Sequence, residues 1–213
     1  MVTYRAIVAP DATTIARIHA TSWRSAYRDI LPDEYLDDDI DADRLTHWRR
    51  RLSAPTERDV GVLALQDGAP VGFAFAVRDD DEHWGSMLDN LHVLPEHKGH
   101  GLGRSLMREL VAQLAEAGTA AGLYLWVYEA NASARRFYER LGAVRLHAEL
   151  VDTAGGGRAR ALVYGWATME PLKRVLSIAP WLAELRRRVN VQAGTTQCIN
   201  ASNKMRNPSV NPC

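Results

Sequence analysis

Three closely spaced glycines form the part of the chain best suited to hold a phosphate, in Lys98-Gly99-His100-Gly101-Leu102-Gly103. Glycine lets a backbone approach a ligand closely and adopt positive φ angles. An amphipathic segment follows, and the first turn of a helix offers unpaired N–H groups and partial positive charge, which favour a pyrophosphate. Lys98, His100 and Arg104 add side-chain donors. The segment is neither a Walker loop nor a dinucleotide fingerprint, and an ordinary tight connection is the alternative.

Two motifs carry a family resemblance. The glycine turn is similar to motif A of the GNAT acetyltransferase superfamily, Gln/Arg-x-x-Gly-x-Gly/Ala after a strand, with Lys98 in the first position. Lysine keeps the charge there and lacks the planar fork of arginine. Residues 127–143 resemble motif B, with Asn131, Ala134, Phe137-Tyr138 and Gly142 at its spacing. With the predicted order of elements, the resemblance covers about residues 3–170.

The resemblance implies a role for each motif in binding acyl-CoA. The pantetheine arm would lie beside the strand before the turn and bond the main chain of Leu91, His92 and Val93. The Leu91 N–H would polarise the thioester carbonyl. The pyrophosphate would be held by successive N–H groups of Lys98, Gly99, His100, Gly101, Leu102, Gly103 and Arg104. Asn131 would bind the pantetheine region, or simply cap its helix. Tyr138 would protonate the departing thiolate, or simply pack in the core.

An amine acceptor also needs a base to remove its proton. Period-two alternation predicts Met87, Asp89 and Leu91 on one face of the strand, and Leu88, Asn90 and His92 on the other. Asp89 is the first choice, acting directly or through a water, with its pKa raised by burial. His92 has the better intrinsic pKa and the less suitable face. His19, Glu129 and bulk water are the remaining alternatives.

Aromatic residues are the candidates for the acceptor pocket. Trp23 and Tyr27 share a face of the first predicted helix. Their Ser-Trp-Arg-x-x-Tyr pattern resembles a GNAT subgroup in which that helix covers the acceptor. Trp84 and the acidic loop at 79–82 precede the central strand, and such groups would suit a cationic amine. Burial of Trp23 in the core and solvation of the loop are the alternative interpretation.

The surrounding pattern predicts one α/β (α+β) domain. Alternating apolar residues favour strands at 2–8, 60–65, 71–77, 87–93, 123–127, 144–151 and 160–169. Apolar residues at helical spacing predict four helices, which begin after Asp11, after Asp41, after the glycine turn and after Asn131. The predicted order is β-α-α-β-β-β-α-β-α-β-β, a mixed, mostly antiparallel sheet flanked by helices. Residues 1–170 form the predicted domain, 171–192 an amphipathic helical segment broken at Pro180, and 193–213 a disordered polar tail.

Composition narrows the function classes. Lys+Arg and Asp+Glu are both 26, so the net charge is zero, and neither nucleic acid nor a membrane is the expected partner. The first residues lack the pattern of a secretory signal, and no apolar run is long enough to span a membrane. The cytoplasm is the expected location. Cys198 and Cys213 are the only cysteines, and no Cys/His spacing predicts a metal site.

The sequence therefore predicts an acyl-CoA-dependent N-acyltransferase. Acetyl-CoA would donate an acetyl group to a primary amine of a small molecule or peptide, by direct attack in a ternary complex. A cysteine thioester intermediate is not expected because the predicted domain contains no cysteine. The alternatives are an acyl-CoA sensor without catalysis and an interaction module that assembles through its C-terminal segment. Assembly as a homodimer is also left open.

Overall fold

The computed structural model describes residues 1–118 and 122–177. In these two ranges, seven strands form one sheet in the order β1-β2-β3-β4-β5-β7-β6. The strands are β1 Val2–Ala6, β2 Asp59–Gln66, β3 Ala69–Asp81, β4 Gly85–Val93, β5 Leu123–Tyr128, β6 Val144–Asp152 and β7 Arg158–Trp166. Neighbouring strands are antiparallel except for β4 and β5, which are parallel. The predicted mixed, mostly antiparallel sheet is confirmed.

Five α-helices of the described residues flank the sheet. They are α1 Ala12–Ala26, α2 Ile40–Ser53, α3 Leu102–Glu116, α4 Ala132–Arg140 and α5 Met169–Ser177. A π-helical turn, Tyr35–Asp39, leads into α2, and 3-10 turns occupy Ala9–Asp11 and Pro95–His97. The order of strands and helices agrees with the prediction up to β7, and α5 follows it.

Apolar residues on the two faces of the sheet build separate parts of the core. Leu106, Leu110 and Leu114 of α3 are fully buried against one face, together with Leu88 and Leu125 of the central strands. Ile15 and Ile18 of α1 and Trp48 of α2 pack on the other face, against Phe73 and Phe75. Period-two alternation along β3 explains the separation, since Phe73 and Phe75 face α1 while Ala74 and Ala76 face α3.

Helix α5 belongs to this core. Leu172 is fully buried and Leu176 is 4% exposed in the cluster that also contains the α3 leucines. The predicted domain limit at residue 170 therefore falls inside α5, and residues 171–177 pack against the domain. Pro171 is the third residue of the helix, where a missing N–H breaks no helical hydrogen bond. The rest of the predicted segment 171–192 and the tail 193–213 lie outside the described residues.

The parallel strands β4 and β5 stay together over a short distance. Three residue pairs join them, Ser86 with Leu123, Met87 with Tyr124 and Leu88 with Leu125. Strand β4 nevertheless continues to Val93 on its partner β3, and β5 continues to Tyr128 on its partner β7. The two strands thus separate after Leu88, and alternate residues of β4 turn their backbone N–H and C=O groups toward the opening.

Candidate active site

The glycine turn forms the N-terminus of α3. After β4 ends at Val93, Gly99 and Gly101 adopt φ angles of 83° and 80°, and Gly101 is the N-cap of the helix. These positive φ angles favour glycine at both positions. A Cβ built on either glycine would meet nothing within 4 Å, so the space above the turn is open. The first helical hydrogen bond joins Ser105 N–H to the Gly101 carbonyl at 3.0 Å. The N–H groups of residues 102–104 therefore precede the helical ladder, which is the arrangement that suits a phosphate.

The two sequence motifs adjoin in space. A Cβ on Gly103 would lie 3.6 Å from the Phe137 ring, so α4 packs beside the first turn of α3. Lys98 and His100 are exposed on the turn, where both could reach a bound phosphate. Arg104 differs from the expectation, because its Nη2 donates to the Val175 carbonyl of α5. Its side chain is engaged by α5, and its backbone N–H still belongs to the first turn of α3.

Asn131 and Tyr138 both have structural roles. The Asn131 Oδ1 accepts a hydrogen bond of 3.1 Å from Ala134 N–H and caps α4. Tyr138 is 2% exposed, and its ring packs edge-on against Phe137 at 5.2 Å and lies 6.5 Å from the Trp166 ring. Their predicted contacts with pantetheine and thiolate remain predictions.

A β-bulge changes the predicted faces of β4. Asn90 pairs with Phe75 and Leu88 pairs with Ala76, which leaves Asp89 as an extra residue between them. Asp89 lies within ion-pair distance of Arg51 on α2, whereas Leu91 packs in the α3 core. The prediction that Asp89 shares a face with Leu91 is therefore wrong. Asp89 shares its face with His92, because the bulge interrupts the period of two.

A chain of buried polar side chains ends at the Asp89 carboxylate. Asn90 Nδ2 donates to Asp89 Oδ2 at 2.9 Å, so the Asn90 Oδ1 is left to accept from His92 Nε2 at 3.3 Å. His92 Nδ1 then accepts from the Ser22 hydroxyl of α1 at 3.2 Å. These contacts assign the proton of neutral His92 to Nε2. They also fix the orientation of Asp89.

Burial sets the ionisation of the candidate bases. Burial raises the pKa of the Asp89 carboxyl to about 6, although Arg51, 3.7 Å away, and Asn90 both act in the opposite direction. Burial lowers the pKa of His92 to about 3, with the charges of Lys98 and Arg44 adding to the effect. The pKa of His19, which stacks on His92 at 4.3 Å, is also well below its usual value because of burial. Near neutral pH, Asp89 can accept a proton, whereas both histidines are neutral and poor bases.

The fourth candidate base lies at the end of β5. Glu129 follows Tyr128 and forms an ion pair of 3.5 Å with Arg160 of β7. Asp89 alone combines burial, a raised pKa and a position on the central strand, so the geometry favours it.

The predicted acceptor aromatics lie on the face of the sheet covered by α1 and α2. Trp23 and Tyr27 are each 1% exposed and meet edge-on at 5.3 Å, and Tyr27 continues the row to Tyr128 of β5 at 5.4 Å. Trp84 is half-buried at the start of β4, 5.3 Å from the Tyr124 ring. The structure therefore brings Trp23 and Tyr27 together and places Trp84 at the opposite end of the central strands from the glycine turn.

The acidic segment before Trp84 is not an open loop. Strand β3 extends to Asp81, and Asp80 accepts a hydrogen bond of 2.5 Å from the Tyr124 hydroxyl and pairs with Arg58 at 3.5 Å. The expectation of a loop at 79–82 was therefore wrong for residues 79–81, which belong to β3, although Asp79 and Asp80 are exposed as expected. This extension of the strand could not be inferred from composition, because aspartate is uncommon in strands.

Two arginines on α2 were missed by the sequence analysis. The Arg44 guanidinium lies 4.8 Å from the centre of the Trp23 ring, and the Arg51 guanidinium lies 4.9 Å from the centre of the Phe75 ring. With Trp48 between them, their spacing of four and three residues places all three on the inner face of α2. That spacing was the signal that could have revealed them.

Within the described residues, no helix has the length and apolar character needed to cross a membrane. In that same part of the chain, no three His, Cys, Asp or Glu side chains are grouped so that they could hold a metal ion.

Known proteins resemble this chain in sequence and in fold. The uncharacterized N-acetyltransferase YuaI of Bacillus subtilis (strain 168) is 29% identical over 181 residues, which are 83% of this chain and 99% of that protein. The [ribosomal protein bS18]-alanine N-acetyltransferase of Haemophilus influenzae is 34% identical over 50% of this chain and 71% of that protein. The crystal structure of PaiA N-acetyltransferase from Thermoplasma acidophilum with coenzyme A has a TM-score of 0.57 and 19% identity, over 78% of this chain and 99% of that chain. This last likeness shows the fold.

The sequence model of the acetyltransferase (GNAT) family matches residues 19–143. The matched range contains both the glycine turn at the start of α3 and the capped helix α4. Since it also exceeds half of the chain, the protein belongs to the acetyltransferase (GNAT) family.

Proposed function

We propose that this protein transfers the acetyl group of acetyl-CoA to a primary amine, with both substrates bound at once. The separation of β4 from β5 directly before the glycine turn carries the proposal. One short stretch of β4 thereby offers backbone groups that could pair with a pantetheine arm, and the Asp89 carboxylate that could receive an amine. The same stretch leads into the glycine turn, whose open N–H groups suit a pyrophosphate.

Backbone groups would do most of the CoA binding. Alternate residues of β4 beyond the bulge direct their N–H and C=O groups into the opening, so the pantetheine amides can pair there as an added strand, along Leu91, His92 and Val93. The N–H groups from Lys98 to Arg104 would bind the pyrophosphate. Asn131 uses its Oδ1 as a helix cap, and its amide nitrogen would be the group that meets pantetheine.

The chemistry is an addition followed by an elimination. The amine nitrogen attacks the thioester carbonyl and forms the new C–N bond, while the Leu91 N–H stabilises the negative charge on the carbonyl oxygen. The C–S bond then breaks, and the acetyl group remains on nitrogen. Asp89 accepts the proton from the amine, and Tyr138 donates one to the CoA thiolate.

Direct attack is the proposed route because residues 1–118 and 122–177, which the structure describes, contain no cysteine to receive the acetyl group. The two cysteines of the sequence are Cys198 and Cys213, both outside the range matched by the family. A sensor without catalysis is less well supported, since the named relatives are acetyltransferases.

An acyl-CoA-dependent amine screen with mass-spectrometric detection tests the proposal. The expected result is acetylation of at least one class of amine by the wild-type protein and none by Gly101→Asp, whose carboxylate would repel the pyrophosphate. Tight CoA binding by calorimetry with no acetylated product across small amines, amino acids and peptide N-termini would favour the sensor instead.

A second copy of the chain is the proposed protein partner. Strand β6 is an edge of the sheet, and Val144, Leu146 and Leu150 on it are 58%, 44% and 52% exposed. Apolar side chains on an unpaired edge are suited to strand or face pairing between copies. Sedimentation of wild type and of Leu150→Lys would show a dimer only for the wild type; a monomeric wild type would refute this assembly.

A further inference from the structure

Three buried polar side-chain atoms on α1 and β5 have no hydrogen-bond partner in the described part of the chain. They are His19 Nε2, Trp23 Nε1 and the Tyr128 hydroxyl, and no other atom in the described part of the chain bonds them. His19 and Tyr128 are fully buried and Trp23 is 1% exposed. Leaving such groups unsatisfied in the interior is costly, so a ligand group or water is expected to meet them.

All three groups can donate a hydrogen bond. Trp48 Nε1 donates to His19 Nδ1 at 3.0 Å, so the proton of the neutral imidazole must sit on Nε2. The Trp23 indole N–H is a donor only, and the Tyr128 hydroxyl can donate as well as accept. A ligand that satisfies all three donors must therefore offer an acceptor group with several lone pairs.

The three groups belong to one connected aromatic row. His19 and Trp23 lie one helical turn apart on α1, with ring centres at 4.7 Å. Trp23 contacts Tyr27 at 5.3 Å, and Tyr27 contacts Tyr128 of β5 at 5.4 Å. The donors thus line one side of the layer between α1 and the central strands.

A buried cation lies against this row. Arg44 is 6% exposed, its guanidinium lies 4.8 Å from the centre of the Trp23 ring, and its Nη2 contacts Asp43 at 2.8 Å. Burial raises the pKa of Tyr128 to about 12, and the positive charge of Arg44 acts in the opposite direction. Positive charge and unmet donors therefore occupy the same region.

The opposite charge lies nearby on the same face. Asp89 of β4 can receive an ammonium or accept its proton. Its hydrogen-bond chain through Asn90 reaches His92, whose ring stacks on His19 of the donor cluster at 4.3 Å. Met87 and Trp126 on this face are half-buried and keep partial contact with solvent, so the layer is not fully closed. Groups that could hold a carboxylate and a group that could hold an ammonium thus lie on the same face of the sheet.

We propose that the acceptor is an amine that also carries a carboxylate, as an amino acid does. The carboxylate would be held by Arg44 with the N–H groups of His19 and Trp23 and the hydroxyl of Tyr128, and the amine would point toward Asp89. This rests on the proposed N-acetyltransferase function and narrows its acceptor. A polyamine would instead place an ammonium beside the Arg44 guanidinium.

Matched acceptors separate this inference from the function on which it rests. Phenylalanine, phenylalaninamide and phenethylamine share a side chain and differ in the carboxylate, and the glutamate and leucine series extend the comparison. With acetyl-CoA as donor, kcat/KM is expected to be at least about tenfold higher for the free amino acid than for its amide or the simple amine. The reason is that hydrogen bonds to charged groups are the stronger ones. Equal or better use of the amides and simple amines overturns the inference and leaves the function standing. No acetylation in any of these series overturns the inference, and the wider amine screen then decides the function on which it rests.

Two variants test the residues through a ratio that does not depend on how much protein is folded. Arg44→Met removes the charge, Trp23→Phe removes one N–H, and Arg49→Met on the exposed side of α2 is the control. The acid-to-amide ratio of kcat/KM is expected to fall about tenfold for Arg44→Met, less for Trp23→Phe, and not at all for Arg49→Met. An unchanged ratio in both site variants would assign the unmet donors to ordered water and overturn the inference.

Discussion

Replacing Asp89 by Asn should make the protein more stable near neutral pH while it removes most of the activity. The carboxyl group of Asp89 is 7% exposed, and burial raises its pKa to about 6 from a usual 3.8. The native state therefore binds the Asp89 proton more tightly than the unfolded chain does. Asn has nearly the same shape, does not titrate, and can still accept the hydrogen bond from Asn90.

The size of the effect follows from the two pKa values. A raised carboxyl pKa contributes stability that is fully present below the unfolded value and is lost as pH rises through about 6. A change of about 2 pH units is worth about 3 kcal/mol, of which about 2 kcal/mol falls above pH 4.5. Relative to wild type, Asp89→Asn should therefore gain about 2 kcal/mol between pH 4.5 and 7.5, or about 4–8 °C in Tm.

Denaturant unfolding across this pH range measures the gain, and Asp38→Asn, at an exposed carboxylate, controls for the change in net charge. In the same samples, kcat should fall strongly for Asp89→Asn while CoA affinity is retained. The wild-type kcat/KM should decrease below about pH 6 as Asp89 is protonated. A difference in stability that does not vary with pH would refute the raised pKa, and an unchanged kcat would remove Asp89 as the base.

Three further substitutions test other parts of the account. Gly101→Asp should abolish CoA binding, because it strains a φ of 80° and adds a negative charge to the phosphate site; normal binding by calorimetry would contradict the placement of the pyrophosphate. Tyr138→Phe should lower kcat with little change in CoA affinity, and an unaltered kcat would leave Tyr138 a packing residue only. Leu172→Ala should cost about 2–5 kcal/mol in the free energy of unfolding because the side chain is fully buried, whereas a loss under 1 kcal/mol would place α5 outside the cooperative domain.

The sequence was sufficient for the order of elements because each one carries its own periodic signal. Leu106, Leu110 and Leu114 repeat at helical spacing, and the alternation in β3 is visible in Phe73 and Phe75. The glycine turn could also be predicted from the sequence, because few residue types other than glycine adopt a positive φ angle before a helix.

The faces of β4 could not be predicted, because a bulge belongs to a pair of strands and not to one. Asp89 is an extra residue only relative to Phe75 and Ala76 across the sheet. The pKa of Asp89 depends in the same way on burial and on Arg51, which approaches from α2. Such properties arise from tertiary contacts that no local pattern encodes.

The other differences between prediction and structure concern residues whose burial the sequence did not reveal. Pro171 was taken as the end of the domain, although proline is well tolerated in the first turn of a helix such as α5. Arg44 and Arg51 were not predicted to lie in the interior, yet both guanidinium groups lie over buried rings. Their spacing around Trp48 indicates the inner face of α2, but arginine is usually exposed, and only the tertiary contacts with the rings decide between the two.

The path of a labelled acetyl group shows whether an amine receives it directly from acetyl-CoA. The protein is mixed with acetyl-CoA that carries carbon-13 in its acetyl group and with a panel of amines, and all products are followed by mass spectrometry and NMR. The account predicts that the label appears in an amide bond to the acceptor nitrogen for wild type and not for Gly101→Asp. Label found only in free acetate, or held covalently by the protein, would contradict direct transfer from CoA to an amine.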